Sequence, residues 1–159
     1  MNHPKEEKTL ILIKPDALQR NLFGEIVQRF ERKGLKIIGI KMMHLNETIL
    51  REHYKHHAEK PFFKSLAGYM SSSPIIAIAL SGVRAVSAVR LIVGPTKGHA
   101  ADAGSIRGDF SMSGQSNLVH ASDPDENPEE EVKRFFNDDE LFSYHKIDFD
   151  LIYGAELKD

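Results

Sequence analysis

Thr9-Leu10-Ile11-Leu12-Ile13-Lys14-Pro15-Asp16 reads as a buried strand that stops abruptly. Its unbroken apolar run offers no polar face to water, so both sides of the strand are expected to be covered. Pro15 biases Lys14 toward extended backbone and enforces the exit, which leaves a lysine at the strand terminus. Working outward, strand-like runs recur at residues 35–43, 74–80 and 117–120, with helix-like segments between them. Phe23, Ile26, Val27 and Phe30 fall at helical spacing, and Val83, Val86, Val89 and Arg90 do so more loosely, so each segment can cover one face of a sheet. The alternation of strands and helices predicts an α+β sandwich. Residues 93–116, rich in glycine and small side chains, form the longest irregular stretch, and long loops of that kind are often functional.

Composition bounds the possibilities. A chain of 159 residues, 41% hydrophobic, is expected to form a single domain over 1–159 that buries roughly 70% of its unfolded surface. Twenty-one basic and 23 acidic residues give a formal charge of −2. That balance provides no global attraction to nucleic acid, so any phosphate affinity must be local. The absence of cysteine excludes disulfides and thiolate metal sites and agrees with a reducing cytoplasmic setting. Residues 1–8 are polar rather than signal-like, and apolar runs such as Ile75–Leu80 are too short to span a bilayer, so no membrane association is expected.

The segment Asn117-Leu118-Val119-His120-Ala121-Ser122-Asp123 places one histidine at the end of an apolar run among hydrogen-bonding side chains. A histidine with a pKa of about 6.5 is largely neutral at pH 7 and has a lone pair to offer. Read as a nucleophile, His120 needs its second ring nitrogen held by a fixed acceptor, which selects the tautomer and stabilises the cation formed on attack. Glu131, downstream in Pro128-Glu129-Glu130-Glu131-Val132, could be that acceptor, with Ser122 holding its carboxylate. The plainer alternative is a core histidine ending a strand, with Ser122 and Asp123 capping the next helix.

The cationic context favours the nucleophile. Arg107 stands between the glycines of Gly104-Ser105-Ile106-Arg107-Gly108-Asp109, where backbone can approach a ligand and a guanidinium can fork onto phosphate. Arg90 and Thr96, flanking Gly94-Pro95, add a second fork and a hydroxyl.

These residues, with Ile13-Lys14-Pro15-Asp16, Arg51-Glu52-His53-Tyr54, Pro61-Phe62-Phe63 and Ile106-Arg107-Gly108-Asp109-Phe110, resemble the nucleoside diphosphate kinases over nearly everything from Thr9 to Tyr153. The resemblance implies a ferredoxin-like sandwich with a four-stranded antiparallel sheet, which the order of elements independently permits. It implies that His120 takes the terminal phosphoryl group from a nucleoside triphosphate and passes it to a nucleoside diphosphate by a ping-pong route. It places Lys14, Tyr54, Arg90, Thr96, Arg107 and Asn117 around the phosphates, ribose and nucleophile, Phe62 and Leu66 against the base, and Ser122 and Glu131 behind the histidine. A magnesium ion held mainly through the phosphates, broad base specificity, and a homo-oligomer, hexameric rather than tetrameric, also follow from the likeness. Transfer of this kind asks mainly for alignment and cations, which Lys14, Arg90, Arg107 and Mg2+ would supply. An aromatic face such as Phe62 stacks on any base.

The chain departs from the family pattern at several positions. Ala103 stands where the family has a proline, Gly114-Gln115-Ser116 replaces a valine, glycine and arginine, and Ala121 replaces a glycine. Gly114 opens space beside the base and Gln115 adds a polar group there, whereas Ala121 matters only if its φ must be positive.

Other classes fit less well. His53, His56 and His57 invite a metal reading, because His53 and His57 would share a helical face, but the lysines and glutamates around them suggest a solvated surface. Glu129 and Glu130 read as a favourable first turn of a helix. A nucleotide-binding regulator lacking turnover is opposed by the intact His120, Lys14 and Glu131. A nucleic-acid module lacks the basic-aromatic strand signature, and a P-loop kinase lacks its glycine-lysine motif.

Overall fold

The computed structural model describes residues 5–154; residues 1–4 and 155–159, the two ends of the expected domain, lie outside the described residues. The elements in chain order are β1 (Glu6–Ile13), α1 (Pro15–Gln19), α2 (Phe23–Arg32), β2 (Lys36–Met43), α3 (Glu47–His53), α4 (Phe63–Met70), β3 (Ile75–Val83), α5 (Ala85–Val93), α6 (Ile106–Phe110), β4 (Val119–Ala121), α7 (Pro128–Phe135) and α8 (Phe149–Tyr153). The described sheet runs β2-β3-β1-β4 with every neighbouring pair antiparallel. β1 and β2 therefore point the same way with β3 between them, the split βαβ of a ferredoxin-like α+β sandwich.

The opening strand explains itself in this setting. Leu10, Ile11, Leu12 and Ile13 are all fully buried, because β1 is central and helices cover both faces. Ile11 and Ile13 join Ile78, Leu80, Ile26, Phe30, Val89 and Val93 under α2 and α5. Leu10 and Leu12 join Ala77, Ala79, Leu50, Phe63, Val132 and Phe135 under α3, α4 and α7. Each large aliphatic or aromatic side chain removed from water contributes roughly 1.5–3 kcal/mol. With both faces covered, the sheet offers no bare aromatic platform of the kind RNA-binding modules use.

The structure differs from the sequence reading in detail. Val83 closes β3, and the helix starts at Ala85 after Arg84 turns at φ 56°, so the buried stripe is Ala85, Val86, Val89 and Val93. The first strand begins at Glu6, where pairing with β3 carries it past the apolar run. The stretch 93–116 is not wholly irregular. It holds α6, started by the Ser105 hydroxyl accepting the Gly108 N–H at 3.0 Å. Among the described residues, no helix is long and apolar enough to cross a membrane.

Candidate active site

Sheet register decides where the His120 ring points. His120 lies opposite Leu12 in the antiparallel β1–β4 pair, and directly opposed residues project to the same face. Its ring therefore enters the layer roofed by α3, α4 and α7. Lys14, two residues past Leu12, faces the same way by the period of two. Just before β4 the chain makes a tight turn in which Val119 N–H donates to Asn117 O at 2.9 Å around a fully buried Leu118 at φ 75°. A non-glycine residue in that region carries roughly 1–3 kcal/mol of strain that surrounding structure must offset. Ala121 is not among the positive-φ residues, so the methyl that replaces glycine there is tolerated, as expected.

Behind the ring stands α7. Asn127, not Ser122 or Asp123, caps it, its side chain accepting from Glu130 N–H with Pro128 following. Glu129 and Glu130 remain exposed while Glu131 turns inward, 2% exposed. Glu131 Oε2 lies 3.4 Å from His120 Nε2. Burial pushes the Glu131 carboxyl up, but the hydrogen bond and charge of His120, with Ser122 and Arg134, more than offset this and hold it below the ordinary carboxylate range. The Ser122 hydroxyl accepts Leu10 N–H at 3.0 Å and has its own proton left to donate.

His53 corrects the sequence reading. α3 ends at His53, so His53 and His57 share no helical face, and His53 is 4% exposed rather than solvated. Its ring meets His120 edge-on at 4.4 Å between centroids. Nδ1 lies 3.8 Å from Glu131 Oε1 and 3.3 Å from an Arg134 nitrogen. Burial, followed by the charges of His120, Arg134 and Lys14, holds its pKa well below that of a free histidine, so the ring is neutral. It fills the space behind Glu131 without competing for the carboxylate as a cation.

Three cations approach from different elements. Lys14 Nζ donates to Asn117 Oδ1 at 2.7 Å and to Gln115 O at 3.3 Å. Burial, and secondarily the Arg107 charge, brings it down to about 8, with Asp16 opposing. Arg107 sits on α6 rather than on an open glycine loop. Its guanidinium donates to Asn117 O, Gly94 O and Val119 O, so of its five N–H donors two remain for a ligand. Gly94, at φ 82°, ends α5 and aims that carbonyl at Arg107. Burial, then Arg90, lowers Arg107 to about 10. Arg90, more exposed, lies 3.7 Å from Asp123 Oδ2. Asn117 Nδ2 ties the site together through Thr96 O and Gly114 O, both at 2.9 Å.

A cavity of about 400 Å³ gathers Lys14, Tyr54, Phe62, Leu66, Arg90, Thr96, Arg107, Asn117 and His120 on its wall. Ser122 and Glu131 lie outside it, behind the histidine. The Tyr54 hydroxyl is buried and finds no hydrogen-bond partner among the described residues. Burial and the Glu131 charge push it up, so it offers a proton to a bound group. Phe62 is 47% exposed on the cavity wall, with the Lys60 ammonium over its ring and His57 beside it, and Phe63 instead enters the core. Sequence reasoning missed His53, His56, His57, Asp123 and Glu126 on this wall, the three histidines having been read as a solvated surface. Gln115, anticipated as a polar addition, reaches Ser65 on α4 at 3.4 Å.

His53, His120 and Glu131 bring ligand atoms within 4.8 Å of one another, but this nitrogen-rich set does not suit magnesium, which takes oxygen donors. Asp123 and Glu126 supply carboxylate oxygen on the cavity wall, and Asp123 is paired with Arg90. The donor set fits a magnesium ion brought in by phosphates better than an all-protein cage.

Comparison with known proteins converges on one family. The model for nucleoside diphosphate kinase matches residues 7–141. A nucleoside diphosphate kinase of Methanobrevibacter smithii is 46% identical over 147 residues, covering 92% of this chain and 98% of that protein. One of Parabacteroides distasonis is 54% identical over 138 residues, covering 87% and 90%. A halophilic nucleoside diphosphate kinase from Halobacterium salinarum in complex with CDP superposes with TM-score 0.91 at 39% identity, covering 93% of this chain and 99% of that one. A transition-state mimic of the Borrelia burgdorferi enzyme with bound vanadate and ADP has TM-score 0.86 at 33% identity, covering 94% and 98%.

Proposed function

This chain belongs to the nucleoside diphosphate kinase family and is a phosphotransferase acting between nucleoside triphosphates and diphosphates, and from that premise we propose how its own residues carry the transfer. The observation that bears most weight is the His120–Glu131 contact. Nε2 is held by the carboxylate, so its proton stays there and the lone pair resides on Nδ1. Nδ1 attacks the terminal phosphorus. The N–P bond forms as the bridging P–O bond breaks, and the diphosphate leaves with that electron pair. Glu131, oriented by Ser122, stabilises the positive charge on the ring. A second diphosphate then attacks the phosphorus and restores the imidazole, which is a ping-pong cycle through one site.

Lys14, Arg90 and the two uncommitted N–H groups of Arg107 meet the phosphate oxygens. Tyr54, Thr96 and Asn117 orient phosphate and ribose, and Phe62 and Leu66 face the base. A magnesium ion brought in by the phosphates would supply further positive charge beside these residues. A half-exposed aromatic ring at Phe62, which stacks on any base, supports broad base specificity. Residues 1–159 act as one domain in a homo-oligomer, hexameric rather than tetrameric, in the cytoplasm, without membrane or specific nucleic-acid partners.

Incubation with magnesium and ATP should add one phosphoryl group, seen by intact mass, that is acid-labile and alkali-stable. Any nucleoside diphosphate should discharge it, and His120→Ala should abolish it. Normal turnover in that variant would refute the assignment.

A further inference from the structure

The strained turn ahead of the nucleophile is gripped from one short segment. Lys14 N–H donates to Leu118 O at 2.9 Å, and Leu118 N–H donates to Asp16 Oδ2 at 3.1 Å. Both backbone groups of the one residue at φ 75°, two positions before His120, are thus held by Lys14 and Asp16. The second Asp16 oxygen accepts the Tyr69 hydroxyl from α4, the helix that places Leu66 on the cavity wall. One carboxylate therefore joins the turn that aims the imidazole to the helix beside the base pocket. Without it, Leu118 N–H would lose its acceptor and become a buried orphan, leaving the strained turn held only by Lys14 N–H, its own Val119–Asn117 bond and Arg107.

We propose that Asp16, anchored by Tyr69, is a positioning residue for His120: it fixes the turn at Leu118 and so the attack angle of the ring on the phosphoryl group. It touches neither substrate nor the reacting nitrogen. The charge of Asp16 has a second effect, raising Lys14 against its burial and against Arg107. The groups that face Lys14 are Asp16 from α1, Arg107 from α6 and His53 from α3. The proposal rests on His120 being the nucleophile.

Asp16→Ala should lower the rate of phosphoenzyme formation and kcat about 100-fold, the scale expected of an ångström-level misplacement, with KM for the nucleotide within about threefold. Asp16→Asn keeps an acceptor for Leu118 N–H, so it should recover most of that rate while its alkaline activity limb moves to lower pH, since Lys14 loses a neighbouring negative charge. Tyr69→Phe should give an intermediate loss in kcat, and it decides the matter should Asp16→Ala fail to fold. Wild-type kcat in Asp16→Ala or in Tyr69→Phe, or equal impairment of Asp16→Ala and Asp16→Asn, would overturn the proposal. Turnover retained by His120→Ala would instead overturn the phosphohistidine reading, a separate outcome because kcat is measurable without the adduct.

Discussion

Lys14 shows how one residue collects its chemistry from distant parts of the chain. Its place at a strand terminus is visible in the sequence, but its burial, its bond to Asn117 and its repulsion by Arg107 depend on three other segments. Because those surroundings bring it down to about 8, it is protonated at neutral pH and loses its charge as pH rises through that value. The expected outcome is a fall of kcat/KM above about pH 8, with Lys14→Gln both slower by roughly 10²–10³-fold and lacking that limb. A limb that persists at the same midpoint in Lys14→Gln would assign it to another group. Arg107 carries a related lesson. Its glycine-flanked sequence suggests a free fork, yet three of its donors hold backbone carbonyls, so it braces the turn before His120 as well as facing the cavity.

Among the elements, α7 has the clearest start signal, and its first turn carries Glu131. Asn127 accepts from Glu130 N–H and Pro128 occupies the first helical position, so Asn127→Ala should destabilise the protein by about 1 kcal/mol. For a chain of this length that corresponds to a melting temperature lower by about 2–4 °C. A thermal melt unchanged by the substitution would show that packing of Val132 and Phe135, not the cap, fixes the helix. Strand runs and the stripe of α2 were legible because central strands and amphipathic helices write burial directly into hydrophobic spacing. The junction at Val83 was not. Arg84 supplies a left-handed turn at φ 56° without glycine or proline, so no residue type marked where the nine-residue strand became a helix.

At the scale of the whole molecule, closing the α3–α7 layer over the sheet buries titratable groups together, and this shapes acid stability. His53 in the folded protein sits well below a free histidine, whereas the unfolded chain takes up that proton near 6.5. Below about pH 6.5 the unfolded state therefore binds the proton that the folded state refuses, and stability falls with a slope of up to about 1.4 kcal/mol per pH unit. Glu131, whose folded value is depressed, withdraws its own contribution further down, as pH passes through the carboxylate range. Melting temperatures measured between pH 7.5 and 5 should drop in the wild type and drop less in His53→Gln. Parallel curves for the two proteins would exclude His53 as the source.

The sequence alone determined the α+β sandwich and the chemistry its motifs could support, since hydrophobic periodicity reports burial and residue type reports reactivity. Its resemblance to the family also picked out nine residues that the fold gathers around one cavity. Only the tertiary structure decided that His53 is buried against His120 and that Asp16 holds Leu118 across 102 positions of chain. The physical reason is locality. Spacing encodes which side of an element is covered, but the partner that covers it, and the charge that partner carries, are fixed only when antiparallel register and helix packing bring remote segments together.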